Sequence, residues 1–181
     1  MITSLTGIIK EKNPPRLVIE VGGIGLTVFM PLSTFDKLGR LGDKASVLTK
    51  LIVKEDALEL YGFLQVDELN LFEDLIGVPG IGPKTGLNLL SKFTVRELID
   101  AVESQNDELL ATVTGVGKKT AAKIILELKG KIKFETDKPN LSQAVEALVS
   151  LGLSRSEAIE RLKGIDHKLG PQEMVKKVLS K

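Results

Sequence analysis

The residues of this chain best equipped for chemistry are glycines and lysines, and they come twice in the same order. Gly80-Ile81-Gly82-Pro83-Lys84-Thr85 returns downstream as Gly115-Val116-Gly117-Lys118-Lys119-Thr120. At that one offset Leu75 falls on Leu110, Val78 on Val113 and Leu89 on Ile124, so apolar, glycine and basic positions repeat together, the mark of an internal duplication. Glycine permits a positive φ and lets a ligand come close to the backbone. N–H groups exposed by such a turn, with the N-terminus of the next helix behind them, make an anion site. A lysine beside that site favours phosphate. A Gly-apolar-Gly turn can also do no more than end one core helix and begin another. That plain role accounts for one copy, but it leaves the matched lysines of the second without a reason.

Other chemistries are poorly supplied. Gly77-x-x-x-x-Gly82 is followed by Pro83 rather than lysine, so it is no P-loop, and Gly80-x-Gly82 follows a helical pattern rather than a strand, so it is no dinucleotide fingerprint. No ATP site and no cofactor are expected. The chain has no cysteine, which removes disulfides, thiolate catalysis and most zinc sites. Its one histidine, His167, builds neither a metal site nor a triad alone and is expected on the surface or in packing. No catalytic residue and no metal ligand is therefore assigned.

Hydrophobic residues make up 43% of the chain and charged residues 27%, and no apolar run approaches the length of a membrane span. The start, Met1-Ile2-Thr3-Ser4-Leu5, lacks the basic and apolar regions of a signal peptide. A cytoplasmic protein is expected. A net charge of +1 is not the basic footprint usual for a nucleic-acid binder, but its distribution is uneven. Lys118, Lys119, Lys123, Lys129, Lys131 and Lys133 cluster after the second turn with only Glu127 among them, while Asp67, Glu68, Glu73 and Asp74 gather before the first.

The elements that must position these turns fall into three parts. Residues 1–64 read as strands: Ile2 to Lys10, Arg16 to Val21, Leu26 to Met30, Ala45 to Val53 and Leu58 to Phe63, broken by Asn13-Pro14-Pro15, Gly22-Gly23-Ile24-Gly25 and Glu55-Asp56. Five strands with a short helix at Ser33 to Leu38 suit a small closed barrel such as the OB-fold. That fold often stacks bases on aromatic side chains, yet Phe29, Phe35, Tyr61 and Phe63 are few, and a role as an assembly platform is at least as well supported. Residues 65–132 read as helices around the two turns. Thr94-Val95-Arg96-Glu97 is a capping box opening the connecting helix; the second pair runs from Asp107 to Val113 and from Lys118 to about Lys131. Residues 133–140 lose apolar periodicity and read as a linker ending near Pro139. Residues 141–181 read as three helices, with Gly152 stopping the first, Ser154-Arg155-Ser156-Glu157 capping the second and Pro171 opening the third.

Each copy of the duplicated stretch resembles the helix-hairpin-helix, a module that grips the nucleic-acid backbone without reading bases. The segment around Leu148, Leu151, Gly152 and Leu153 resembles the loop region of ubiquitin-associated-type domains. A five-stranded barrel, two tandem hairpins, a linker and a three-helix module, in this order and over the whole chain, resemble the RuvA family of junction-binding subunits of bacterial Holliday junction branch migration complexes. Lys54-Glu55-Asp56-Ala57 before Leu60-Tyr61-Gly62-Phe63 matches that family's acidic pin and barrel end, and Gly115 to Ala121 matches its second hairpin. The first hairpin departs from the pattern. Thr85-Gly86 stands where an apolar residue and alanine are usual, which predicts a looser helix start. The linker is also short, which bears on how far the third part can swing.

The resemblance implies a multidomain α+β fold and a homotetramer, or two tetramers, holding four-way junction DNA open and flat. It implies DNA contacts from Gly80, Ile81, Gly82, Lys84, Thr85, Gly115, Val116, Gly117, Lys118, Lys119, Thr120 and Lys54. Glu55 and Asp56 would form the acidic pin at the crossover, and Leu148, Leu151, Gly152 and Leu153 would meet the RuvB ATPase hexamer, which uses the ATP. RuvC resolvase is a further implied partner. The chain itself would be a noncatalytic subunit of an ATP-dependent DNA helicase, serving recombination and repair. Two other functions stay open at this point. A hairpin-type base-excision glycosylase or lyase would use Asp137 after Gly130, or Lys119 or Lys123 as nucleophile, although Asp137 stands in a polar stretch without the aromatic pocket that base flipping needs. A generic hairpin scaffold would leave the acidic turn and the last module unexplained.

Overall fold

The computed structural model of the 181-residue chain describes residues 2–129, 139–162, 165 and 169–179. The chain divides into two compact units, Met1–Ile132 and Lys133–Lys181.

The first unit opens with a closed barrel. Its strands are β1 (Ser4–Asn13), β2 (Arg16–Val21), β3 (Ile24–Phe29), β4 (Lys44–Val53) and β5 (Leu58–Phe63), in the order β1-β2-β3-β5-β4. Every pair is antiparallel except β3 with β5. Strand β1 serves two neighbours, β4 along Ser4 to Ile8 and β2 along Ile8 to Asn13, and its register shifts between Ile9 and Glu11. An extra residue of this kind bends a strand and raises its twist, which is what closing a five-stranded barrel requires. Alternating side chains fill the inside: Leu5, Ile9, Leu17, Ile19, Val28, Val47 and Leu60 are buried. The strands run further than their apolar stretches suggest. Ile24 and Gly25, expected in a loop, already pair as β3, because Gly22 and Gly23 with φ of 59° and 86° make the two-residue turn alone. The helix expected over Ser33 to Leu38 is one turn, α1 (Leu32–Phe35), and Lys12 Nζ takes up the carbonyls of Leu38 and Gly39 at 3.1 and 3.3 Å.

Five helices follow in the same unit: α2 (Val66–Ile76), α3 (Pro83–Lys92), α4 (Val95–Glu103), α5 (Asp107–Leu110) and α6 (Lys118–Leu128). Thr94 and Glu97 form the reciprocal capping box that opens α4. Helix α5 is a single turn, shorter than the expected span to Val113, and the chain then turns through Thr112. The helical core does not stop at the barrel. Tyr61 and Phe63 of β5 join one buried cluster with Leu71, Phe72, Leu89, Leu98, Leu110 and Ile124. Phe72 sits between them, with ring centroids 5.2 Å from Tyr61 and 4.9 Å from Phe63. Phe29 packs on the same cluster, and Phe35 is buried in the barrel. Three of the four barrel aromatics are thus buried in packing, and Phe29 is half-buried with its ring centroid 5.7 Å from that of Tyr61.

The second unit holds α7 (Pro139–Ser150), α8 (Arg155–Leu162) and α9 (Pro171–Leu179) around Ala144, Val145, Leu148, Ala158, Leu162, Met174 and Val178. Pro139 and Asn140, expected in a linker, belong to α7; residues 133–138 of that linker, with Gly130, Lys131, Asp137 and His167, lie outside the described residues. Gly152 ends α7 with φ of 100°. The Leu153 N–H reaches the Leu148 carbonyl at 3.2 Å and the Gly152 N–H reaches Val149 at 3.0 Å, the two bonds of a Schellman cap. Ser154 and Glu157 then cap α8 reciprocally at 3.0 and 3.2 Å.

Candidate nucleic-acid interface

The duplication seen in the residues is also a duplication of bonds. Before the first turn the Val78 N–H donates to the Leu75 carbonyl at 3.1 Å; before the second, Val113 donates to Leu110 at 3.2 Å. Across the turns Ile81 donates to Val78 and Val116 to Val113, each at 3.0 Å. Gly86 and Ala121 then close the first helical turns onto Gly82 and Gly117 at 3.0 and 2.9 Å. Between these bonds the backbone inverts at Gly80, with φ of 96°, and at Gly115, with φ of 91°. A residue bearing a β-carbon would be strained at either place.

Ile81 and Val116, read as DNA contacts, are both 5% exposed, and their N–H groups are used inside the turn. Their side chains anchor each turn to the core and offer nothing outward. What faces solvent is the glycine on either side, with Lys84, Lys118, Lys119 and Lys123 all exposed. Thr85 and Thr120 are half-buried one helical position further on.

The second glycine of each copy is the informative one. Gly82 has φ −89° and ψ 168°, and Gly117 has φ −88° and ψ 170°, ordinary extended geometry that any residue adopts. A β-carbon at either would meet nothing within 4 Å. Neither the backbone nor the packing of the protein therefore calls for glycine there. The N–H of each has no acceptor among the described residues, and each opens a helix of ten or eleven residues whose first N–H groups point the same way. Two such N-termini, each with exposed lysines, give one unit two surfaces whose donors and positive charge suit an anion.

Helix α3 ties the two turns together. A β-carbon at Gly115 would stand 3.2 Å from Thr85 Oγ1, Asn88 Nδ2 donates to the Thr114 carbonyl at 3.2 Å, and Lys92 Nζ donates to the Thr112 carbonyl and hydroxyl at 2.9 and 2.8 Å. Sequence patterning gave no notice of Asn88 and Lys92, since polar residues at this spacing on a helix ordinarily make a solvated face.

Lys54, Glu55 and Asp56 lie on the exposed turn from β4 to β5, closed by the Lys54 N–H to the Ala57 carbonyl at 2.9 Å. Lys54 is not free: its ammonium sits 2.7 Å from Glu59, which also accepts from the Tyr61 hydroxyl at 2.8 Å. These two bonds, Lys54 first, hold the Glu59 carboxyl below the usual carboxylate range, and the charge of Lys84 adds to the effect. Burial, and then Glu59, push the Tyr61 hydroxyl up. The first hairpin's lysine thus lies in the field of the barrel's last strand.

Of the four residues read as meeting a motor, Leu148 is core and Leu153 packs half-buried on it, Gly152 is the cap, and Leu151 stands 59% exposed. Gly130 and Asp137, on which the glycosylase reading rests, lie outside the described residues. Among the described residues no three His, Cys, Asp or Glu side chains are placed to hold a metal ion, and no helix is long and apolar enough to cross a membrane.

Comparison with known proteins gives the same order of parts. Residues 1–62 match the family model described as the RuvA N terminal domain, and residues 72–131 match the one described as a SAM-like helix-hairpin-helix tandem. The chain is 41% identical to the Holliday junction branch migration complex subunit RuvA of Methylibium petroleiphilum, over 99% of this chain and 97% of that one. It is 42% identical to the protein of the same name from Delftia acidovorans, over 99% and 97%, and 45% identical to that of Dehalococcoides mccartyi, over 91% and 89%.

Proposed function

The chain belongs to the RuvA family, and from that premise we propose that it is the DNA-binding subunit of a Holliday junction branch migration complex. The observation that carries the proposal is the pair Gly82 and Gly117, glycines that the protein's own conformation and packing do not need. A phosphate drawn against the exposed N–H groups supplies the reason, because any side chain there would stand in its way. Gly80 and Gly115 make the turns, Ile81 and Val116 hold them down, and Lys84, Lys118 and Lys119 neutralise the backbone they approach. With no base-reading side chain in either turn, the contact is to backbone in whatever sequence the arms carry.

Four copies around a four-fold axis would then hold the four arms open and flat, with Glu55 and Asp56 of each copy brought to the crossover. Residues 1–64 supply assembly and the acidic turn, 65–132 the grip, and 141–181 a ubiquitin-associated-like module that recruits the RuvB ATPase through the exposed edge at Leu151; RuvC is a further partner on the same junction. The chain needs no cofactor and catalyses nothing itself, and it works in the cytoplasm. The test is competition between a synthetic four-way junction and linear duplexes built from the same arm sequences, at one salt concentration. Preference for the junction is expected; equal affinity would overturn the proposal.

A further inference from the structure

The two turns match in backbone and differ in what holds them. The first is bracketed by Pro79 and Pro83, whose rings fix φ on either side of Gly80-Ile81-Gly82. The matching positions of the second turn are Thr114 and Lys118, which fix nothing. In their place α3 reaches across: Thr85 packs on Gly115, Asn88 bonds the Thr114 carbonyl and Lys92 bonds Thr112 twice. These three residues, spaced three and then four apart, lie on one face of α3. Two of the matching positions in the second copy give no such support to the first turn. A β-carbon at Gly80 would meet nothing within 4 Å, and Lys123, which matches Asn88, bonds nothing among the described residues.

We propose that Asn88 and Lys92, with Thr85, are positioning residues that set the second phosphate-binding turn in fixed register with the first, so that the two grip DNA as one clamp. This rests on the reading of both turns as phosphate-binding. Two linked grips bind more tightly than either alone only while their spacing fits the ligand, and the advantage goes when the spacing is loose. Lys92 spends its ammonium on Thr112, which sets it apart from Lys84, Lys118 and Lys119: its work is done through the protein and not on a phosphate.

The test uses the full chain, a synthetic four-way junction, and a cycle of Asn88→Ala with Lys92→Ala against Gly117→Val, each variant also melted to confirm that it folds. Gly117→Val alone is expected to weaken binding. The α3 pair alone is expected to weaken it by about tenfold, the worth of one or two lost hydrogen bonds, with the salt slope unchanged because no phosphate contact is removed. Added to Gly117→Val, the pair should cost almost nothing more, since a turn that no longer grips gains nothing from being held. Lys92→Gln, which keeps a donor but not the charge, should recover part of the loss. A fully additive loss with a slope lower by about one unit would mean that Lys92 touches DNA directly, and no loss in the otherwise unchanged chain would mean that the turn holds itself; either result overturns the inference. An unchanged affinity for Gly117→Val would instead remove the phosphate-binding reading beneath it.

Discussion

Gly86 lies against the ring of Phe72: a β-carbon at 86 would stand 3.3 Å from two ring carbons and 3.3 Å from Cγ2 of Ile76. The ring has nowhere to go, since Phe72 is fully buried and held between Tyr61 and Phe63. In the second copy the position matching Phe72 is Asp107, and the position matching Gly86 is Ala121, a buried residue that carries the β-carbon. The glycine that was expected to loosen the first helix start is thus the residue that admits a barrel-facing aromatic, and α3 begins regularly at Pro83.

Gly86→Ala sets two effects against each other. Alanine gains about 1 kcal/mol of helix propensity, and crowding a filled core costs about 1–3 kcal/mol. A net loss of about 1 kcal/mol is expected, read as a lower denaturant midpoint, and less than additive with Phe72→Leu because the smaller side chain makes room. A stabilised Gly86→Ala would show that the ring yields.

The two glycines of a turn should part company under substitution. Gly117→Asp places a good helix N-cap where a β-carbon meets nothing, so stability should hold or rise by about 0.5 kcal/mol, while the carboxylate repels phosphate and DNA binding falls at least tenfold. Gly115→Ala should instead cost about 1–2 kcal/mol, because its φ of 91° strains any residue with a β-carbon. Paired melting and binding curves check both. If Gly117→Asp binds DNA as well as the original chain, that glycine does not face a phosphate.

These positions show where sequence was sufficient and where it was not. Gly80 and Gly115 were legible because backbone inversion has one cheap solution, and Thr94 with Glu97 because a capping box is local. Strands β2 and β5 stood out because their apolar runs end where the turns begin. What could not be read was anything set by packing at a distance. Nothing in Leu58 to Phe63 says that Tyr61 and Phe63 leave the barrel core for the helices, and nothing in Thr112 or Thr114 says that α3 will bond their carbonyls. Ile81 and Val116 were grouped with their glycines by adjacency, although the turn points them inward.

Glu68 at the start of α2 provides a pH test of the unit's stability. Burial pushes its carboxyl up, against the Leu64 and Gln65 N–H groups that pull it down, and the Leu64 N–H lies 3.2 Å away. A raised folded-state pKa means that the ionised form costs stability: the cost is absent below the unfolded value of about 4.3 and complete above the folded one. Glu68→Gln keeps a carbonyl for Leu64 and is expected to be more stable than the original chain at pH 7, with the gap closing as pH falls toward about 4. A gap in denaturant midpoint that stays constant across this range would mean that the benefit is not electrostatic.

In the last three helices, Leu151 and Leu148 should give opposite results. Leu151 is 59% exposed, so Leu151→Glu should shift stability by no more than about 0.5 kcal/mol, leave junction binding intact and, on the recruitment proposed above, abolish stimulation of a RuvB motor. Leu148→Glu buries a charge and should unfold the module. Motor stimulation by Leu151→Glu equal to that of the original chain would place the docking surface elsewhere.

The acidic turn is where structural and functional roles separate most. Glu55 and Asp56 are exposed, neither pairs with a cation among the described residues, and Lys54 beside them is taken by Glu59. The turn is closed by backbone, through the Lys54 N–H to the Ala57 carbonyl, so Glu55→Gln with Asp56→Asn should change stability by no more than about 0.5 kcal/mol. In the four-fold assembly proposed above, the same change would act four times on the phosphates nearest the axis. Linear duplex has no opening there and meets the repulsion in full, whereas a flattened junction parts its strands around it. Removing the charge should therefore tighten duplex binding and lower the preference for the junction, because the element that penalised the wrong substrate is gone. Branch migration with the motor should change as well, weaker strand separation slowing it and weaker repulsion easing duplex rotation, so its direction does not discriminate. The ratio of junction to duplex affinity at one salt concentration does, and an unchanged ratio would reduce Glu55 and Asp56 to an ordinary solvated turn.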